Sequence, residues 1–287
     1  MNQGKAILAV FLAGMVVFLS SCAGPWAVPL LDAAPNKNVK LDYSGRMLIV
    51  THPLLGDKPL KIDCMEAYCK KGSTHRRWEN TTIPQRNYVI SKSPFEIKVK
   101  TSLVSGVEVI HRFAVVADEI LFEAAFTNLT DKPVDIEWMQ PCIRVGDFTG
   151  QGQDEYISKC FIFTEKGIIR LQKTNRTEEA IYRGGQVYVP SGINRDDVNP
   201  RPLSPDVPAN NLIGCFSADE KSVLATAWTD VQELFQGVIT CIHADPRIGG
   251  LGPHQTMKIW GKLYIIPSDI DELLQRYHRD FKTRRGD

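Results

Sequence analysis

Five groups of side chains in this sequence have the types and spacing for chemistry. His75-Arg76-Arg77-Trp78 gathers an imidazole, two guanidiniums and an indole in one polar loop. Arginine grips a carboxylate through two parallel hydrogen bonds, and an indole can pack on the apolar face of a pyranose, so this group suits an anionic sugar. In His111-Arg112, the imidazole shares a strand face with Val109 and Phe113. There it is either a core histidine or a hydrogen-bond partner for a ligand hydroxyl. Gln140, Arg144 and Asp147 end a strand, where loops at a sheet end host ligands. Trp228, Gln232, Glu233 and Gln236 flank a turn between two late strands. His243, Asp245, Arg247 and His254 sit in or beside a glycine-rich loop over residues 244–254, and a histidine close to an aspartate can do acid–base work. The catalytic candidates are therefore His111, His243 and Asp245. The ligand-binding candidates are His75, Arg76, Trp78, Arg112, Gln140, Arg144, Trp228 and Arg247. Each group also has an ordinary reading as core, turn or solvated loop, and only convergence on one face separates the two.

Other chemistries are excluded by what is missing. Gly249-Gly250-Leu251-Gly252 lacks the lysine and the strand–helix setting of a phosphate loop. Neither a Gly-x-Ser-x-Gly elbow nor a His-Glu-x-x-His pair occurs. With 34 basic and 33 acidic residues the chain has a net charge of +1, and without a basic bias no nucleic-acid partner is expected. No cofactor is expected. Neither is a metal, because Cys64 and Cys69 are not joined by a second close cysteine pair or by a His-x-x-x-His ligand set.

The elements that must position these groups are strands. Val107, Val109, His111, Phe113 and Val115 alternate with Glu108 and Arg112; Ile120, Phe122, Ala124 and Phe126 alternate with Glu123 and Thr127. Side chains on a strand point to opposite faces in turn, so residues 105–150 read as an antiparallel meander of three strands, the third carrying Val134, Ile136 and Trp138. Further strands are expected at 39–52, 60–68, 88–91, 95–101, in a pair over 161–172, and at 212–217, 222–229, 235–243 and 256–266. Strands about every 8–12 residues with turns between them predict a sandwich or barrel. The fold class is all-β, a large antiparallel β-sandwich with a C-terminal helix over 268–283, where Ile270, Leu273, Leu274, Tyr277 and Phe281 fall at helical spacing. Residues 174–211, with prolines at 190, 200, 202, 205 and 208, read as a long ordered excursion over one face.

The N-terminus reads as an address. Residues 1–21 combine Lys5, an apolar run and small residues, as a secretory signal does. Leu19-Ser20-Ser21-Cys22 resembles the lipobox of bacterial lipoproteins. That resemblance implies cleavage before Cys22, lipidation (palmitate included) of Cys22, and a place in the cell envelope; Ala23 after it implies the outer membrane. Residues 22–38 would be the lipidated tether and 39–287 one β-sandwich domain. Without residues 1–21 the chain has 33 basic and 33 acidic residues. Cys64, Cys69, Cys142, Cys160, Cys215 and Cys241 remain, and both disulfides and buried free thiols stay open.

The strings VEVIHRFAVVADEILFEAAF, TNLTDKPVDIEW and MKIWGKLYII, in that order, resemble the large sandwich of galactose mutarotase-like domains over residues 40–266. The resemblance implies a concave sheet facing a carbohydrate. Mutarotases use a carboxylate base and histidine acids; Glu123, Glu137, His111 and His243 have that chemistry without matching the motif. Three functions follow as expectations: a carbohydrate-binding envelope lipoprotein, a saccharide epimerase, lyase or hydrolase on the same scaffold, or an envelope protein without a small ligand. Whether 75–78, 111, 144 and 243–247 meet on one concave face discriminates among them.

Overall fold

Alternation of apolar and polar residues along most strands requires two sheets to close on one another. The computed structural model describes residues 33–281. Numbered in chain order, the strands of the seven-stranded sheet lie in the order β1 (Lys40–Ser44), β2 (Met47–Thr51), β3 (Leu60–Cys69), β8 (Trp138–Arg144), β15 (Cys241–Pro246), β14 (Val231–Gln236) and β11 (Gln186–Tyr188). The nine-stranded sheet has the order β10 (Gly167–Arg170), β9 (Cys160–Thr164), β12 (Ile213–Phe216), β13 (Ser222–Trp228), β16 (Thr256–Pro267), β7 (Glu119–Asn128), β6 (Val107–Val116), β5 (Glu96–Leu103) and β4 (Gln85–Lys92). All pairings between these strands are antiparallel. The expected all-β antiparallel sandwich is therefore what the chain forms.

Between the sheets lies the main core. The nine-stranded sheet supplies Val107, Val109, Phe113, Phe122 and Phe126, and the seven-stranded sheet supplies Leu48, Ile62, Tyr68, Ile143 and Ile242. Each such side chain contributes about 1.5–3 kcal/mol on burial. β6 and β7 pair from Val107↔Asn128 to Val116↔Glu119, as alternation predicted. The expected third strand of that meander does not join them. The chain crosses to the other sheet, where β8 pairs with β3 and β15. Alternation marks which face of a strand is apolar, but it does not name the neighbour.

The expected strand over 235–243 is also two strands. β14 ends at Gln236 and β15 begins at Cys241. Thr240 in the turn has a left-handed φ of 54°. His243 lies on a strand as expected, and Asp245, expected in the glycine-rich loop, lies on the same strand.

The helix Ile270–Asp280 covers the outer face of the nine-stranded sheet, with Leu273 and Tyr277 packed on Phe161, Phe216 and Tyr264. Its N-cap is Asp269, whose carboxylate accepts from the Glu272 backbone N–H at 2.9 Å, so the helix starts two residues after the expected 268. The last residues of the expected helix, 282 and 283, lie outside the described residues, as do the signal segment and Cys22. Residues 33–38, expected as tether, dock on the body: the Asn36 N–H donates to the Ala117 carbonyl at 2.8 Å, and Ala33 packs beside Val116 and Trp260. Among the described residues no helix is long and apolar enough to cross a membrane. The six cysteines from Cys64 to Cys241 are all free thiols and buried.

Candidate functional site

The outer face of the seven-stranded sheet carries the polar residues. Along β8, Met139 and Ile143 enter the core while Gln140, Cys142 and Arg144 face the other way. Along β15, Ile242 and Ala244 enter the core while Cys241, His243 and Asp245 face out. In β3 the register shifts between Asp63 and Ala67. Such a bulge breaks the two-residue period, and it brings the adjacent Glu66 and Ala67 both to the outer surface.

The long excursion over 174–211 covers one end of this face. It contains a short helix, Glu178–Arg183, and strand β11. Val198 and Leu203 pack on Val187 and Phe235. The Trp138 indole N–H donates to the Asp197 carbonyl at 2.9 Å, and the Asp197 carboxylate accepts from the Gly72 N–H at 2.7 Å. The excursion is thereby tied to the segment that carries Trp78. Between this cover, the Trp78 segment and the Arg46 turn, a cleft of about 620 Å³ remains over β3, β8, β15 and the end of β14.

Glu66 is the centre of the cleft floor. Its carboxylate accepts from Gln140 Nε2 at 2.9 Å and Arg144 Nη2 at 3.3 Å, and lies 4.0 Å from His243 Nδ1. The other face of the His243 ring meets a thiol, with Cys241 Sγ 3.1 Å from Nε2. Hydrogen bonding from the Cys142 thiol, helped by the charge of His243, holds Cys241 below the usual thiol range. Burial pulls the His243 imidazole down most strongly, but the Cys241 charge, the hydrogen bond to Cys241 and the Glu66 charge together outweigh it, and the net direction is up. Below them, Glu233 and Asp245 stand opposite one another on β14 and β15, both fully buried. Burial pushes both carboxyls up, and the Glu233 charge pushes Asp245 further. The Asn199 N–H from the excursion donates to Glu233 Oε1 at 3.3 Å.

Trp78, half-buried against Ala67, Cys69 and Trp138, forms one wall. Arg46 lines the cleft too, with Nε 2.7 Å from Asp63. Gln85, Asn199 and Arg201 complete the polar lining.

Of the residues expected at a site, Trp78, Gln140, Arg144 and His243 meet in this cleft, and Asp245 lies beneath it, 3.9 Å from His243. The others lie elsewhere. His111 is in the core between the sheets, 2.6 Å from the Tyr68 hydroxyl, because its strand face is the inner one. Arg112, on the opposite face of the same strand, is held by Glu96 at 2.7 Å and Glu123 at 2.6 Å. Trp228 is core, stacked on Phe122. His75 is exposed and 3.5 Å from Asp196; Arg76 does not line the cleft. Arg247 binds Glu137 at 3.0 Å and Gln232 at 2.9 Å, outside the cleft lining. Asp147 pairs with Lys58 at 2.8 Å beside a smaller depression of about 260 Å³.

Sequence reasoning missed Glu66, Asp63, Arg46, Asn199 and Arg201. Asp63 and Glu66 did carry a signal, as two carboxylates inside the largely apolar strand LKIDCMEAYC. The sequence alone showed no metal-ligand set. That expectation rested on spacing along the chain, whereas strand pairing brings Cys142, Cys241 and His243 within 4.8 Å of one another.

No protein-family model matches the chain, and no curated protein matches it. Solved structures do. A galactose mutarotase-like protein from Lactobacillus casei is 10% identical, with a TM-score of 0.42, covering 79% of this chain and 99% of that one. A galactose mutarotase related enzyme from Lactobacillus acidophilus is 6% identical, with a TM-score of 0.41, covering 81% of this chain and 98% of that one. A polysaccharide lyase is 9% identical, with a TM-score of 0.39, covering 84% of this chain and 34% of the lyase. Likeness of this degree concerns the layout of the sheets and assigns no role to any residue here.

Proposed function

We propose that the cleft over the seven-stranded sheet binds a carbohydrate. One observation carries the reading: Trp78, Gln85, Gln140, Arg144, Arg46, Arg201, Asn199 and Glu66 line one cleft. A sugar ring has an apolar face for an indole and a rim of hydroxyls for amides, carboxylates and guanidiniums. Three arginines at the lining favour a saccharide with a carboxylate, which a guanidinium grips through two hydrogen bonds. An open polar cleft counts against an envelope protein without a small ligand. Calorimetric titration with neutral and acidic saccharides tests the reading. Binding is expected with at least one uronate-containing saccharide, weakened about tenfold in Trp78→Ala for an aromatic contact of about 0.5–1.5 kcal/mol plus its lost area. Absence of binding across both classes overturns it.

A second reading, catalysis, is favoured by Glu66. A carboxylate beside Arg144 at 3.3 Å and His243 at 4.0 Å is a base next to cationic and acidic partners, as proton transfer at a sugar hydroxyl or ring carbon requires. The trio His111, His243 and Asp245 is not that machinery, since His111 belongs to the core of the sandwich.

The same proposal places the protein on the cell envelope, anchored by lipid on Cys22, from the resemblance of Leu19-Ser20-Ser21-Cys22 to a lipobox. Mass analysis of the mature N-terminus checks it: an acylated Cys22, lost in Cys22→Ser, is expected, and an unmodified chain starting elsewhere refutes it.

A further inference from the structure

The cleft floor holds a set of donors that the carbohydrate reading leaves unused. Cys142 on β8 and Cys241 and His243 on β15 present one donor atom each, all within 4.8 Å of one another and all buried. We propose that Cys142, Cys241 and His243 form a zinc site whose fourth position opens into the cleft.

Donor chemistry selects the ion. Two thiolates and an imidazole suit a thiophilic, borderline ion, and a Cys2His set with an open fourth position is an arrangement zinc adopts. Charge selects it again. Zn2+ with two thiolates is neutral, whereas Cu+ would leave a net negative charge in a buried place already flanked by Glu66, Glu233 and Asp245. The distances also fit. Zn–S bonds of about 2.3 Å and Zn–N bonds of about 2.0–2.1 Å in a tetrahedron put donors about 3.4–3.8 Å apart. Shifts of well under an ångström in side chains already within 4.8 Å bring them there.

The surroundings of His243 supply an independent observation. Its Nε2 faces Cys241, and its Nδ1 is buried, without a hydrogen-bond partner, 4.0 Å from Glu66 and 3.9 Å from Asp245. Metal-bound histidines give their second ring N–H to a carboxylate, which fixes the tautomer and the ring orientation. Here two carboxylates flank the nitrogen that would need one. The opposite side is closed by main chain. A Cβ on Gly237 would stand 2.3 Å from Cys241 Sγ and 2.9 Å from His243 Nε2, so only glycine lets the backbone lie against the donors. Cys241 and His243 line the cleft, which makes a water or a ligand oxygen from the cleft the fourth donor. Cys160 and Cys215, directly paired on the other sheet, have no such histidine in the set.

The test uses the whole chain, reduced and chelator-stripped, titrated anaerobically with Co2+ and then Zn2+ without any saccharide, so that its failure is separate from failure of the carbohydrate reading. Expected are one Co2+ per chain, thiolate-to-cobalt charge-transfer bands with tetrahedral ligand-field bands, and displacement by Zn2+. Cys142→Ser and Cys241→Ser each lower the charge-transfer intensity and weaken Zn2+ binding by at least about 100-fold, while Asp245→Asn weakens it roughly 10–100-fold with the thiolate bands kept. Cys160→Ser and Cys215→Ser change nothing. A wild-type Co2+ spectrum without thiolate bands overturns the proposal whatever the variants do, and so does Zn2+ affinity that survives in a folded Cys142→Ser or Cys241→Ser protein.

Discussion

His111 sits where a catalytic histidine would be useless and a pH-dependent core residue is unavoidable. It projects from β6 between the sheets, 1% exposed, with Phe113 stacked on its ring and the Tyr68 hydroxyl 2.6 Å from Nε2. Burial pulls its pKa from 6.5 down to about 3. The sign follows directly. Above the unfolded value both states are neutral and pH has no effect through this group. Below it the unfolded chain takes up a proton that the folded chain refuses, so stability falls as pH falls, until the loss saturates near the folded value. Each unit of pKa difference is worth about 1.4 kcal/mol. Between pH 7 and pH 5 the loss through His111 alone is about 2 kcal/mol, and the ceiling across the whole window is about 5 kcal/mol. Urea denaturation at a series of pH values, for the wild type and His111→Gln, isolates it, because the other titrating groups are common to both proteins. The variant is expected to be less stable at pH 7.5 and to lose less on acidification, so that the gap closes by about 2 kcal/mol by pH 5. Ligand binding in the cleft should be unchanged. Parallel curves would refute the burial argument; lost binding in a folded variant would refute the placement of His111 in the core.

Two other substitutions separate structural from functional charge. Lys262, 2% exposed, is 2.5 Å from Glu119 and 2.9 Å from Asp280 beneath the C-terminal helix. Lys262→Met leaves those carboxylates short of a cation and should cost about 3–5 kcal/mol in chemical denaturation, with saccharide affinity intact; an unchanged midpoint would contradict the pairing. Glu66→Gln keeps the size of the side chain but removes the base. On the catalytic reading it should cut turnover of a saccharide substrate by at least about 100-fold with binding lowered far less, and equal losses in both would assign Glu66 to binding alone.

The scaffold was legible wherever a strand had one wet face. β6 alternates over residues 107–113 and β7 over 122–128, and there the faces read from the sequence are those the structure buries. The helix was legible for the same reason at a different period, although it starts at Ile270 rather than at 268. The site was harder to read because periodicity says nothing about which strands become neighbours. Gln140, His243 and Glu66 meet only because β3, β8 and β15 lie side by side, and Glu66 reaches the surface only through a bulge. His111 and His243 look alike in sequence, each an imidazole alternating on a strand. What distinguishes them is the company on their own face. His111 shares its face with Val109 and Phe113, whereas His243 shares its face with Cys241 and Asp245, and Ile242 and Ala244 take the core side.

The two outer faces of the sandwich sharpen that criterion into an argument about where function lies. On the nine-stranded sheet, buried charge is matched. Lys262, Arg276 and Arg279 surround Glu119, and Tyr264 and Arg279 join Lys262 on Asp280. That network ties a helix to a sheet and is satisfied within the chain. On the seven-stranded sheet, Asp245, Glu233, Asn199 and His243 keep buried polar atoms without a donor or acceptor suited to them. A half-satisfied polar cluster is worse for stability than an apolar surface of the same shape, and the same chain fills the corresponding face of its other sheet with Phe161, Phe163, Val223 and Ile266. Polar groups retained at such a cost, beneath an open cleft and beside a set of metal-type donors, are those expected to act on something other than their own fold.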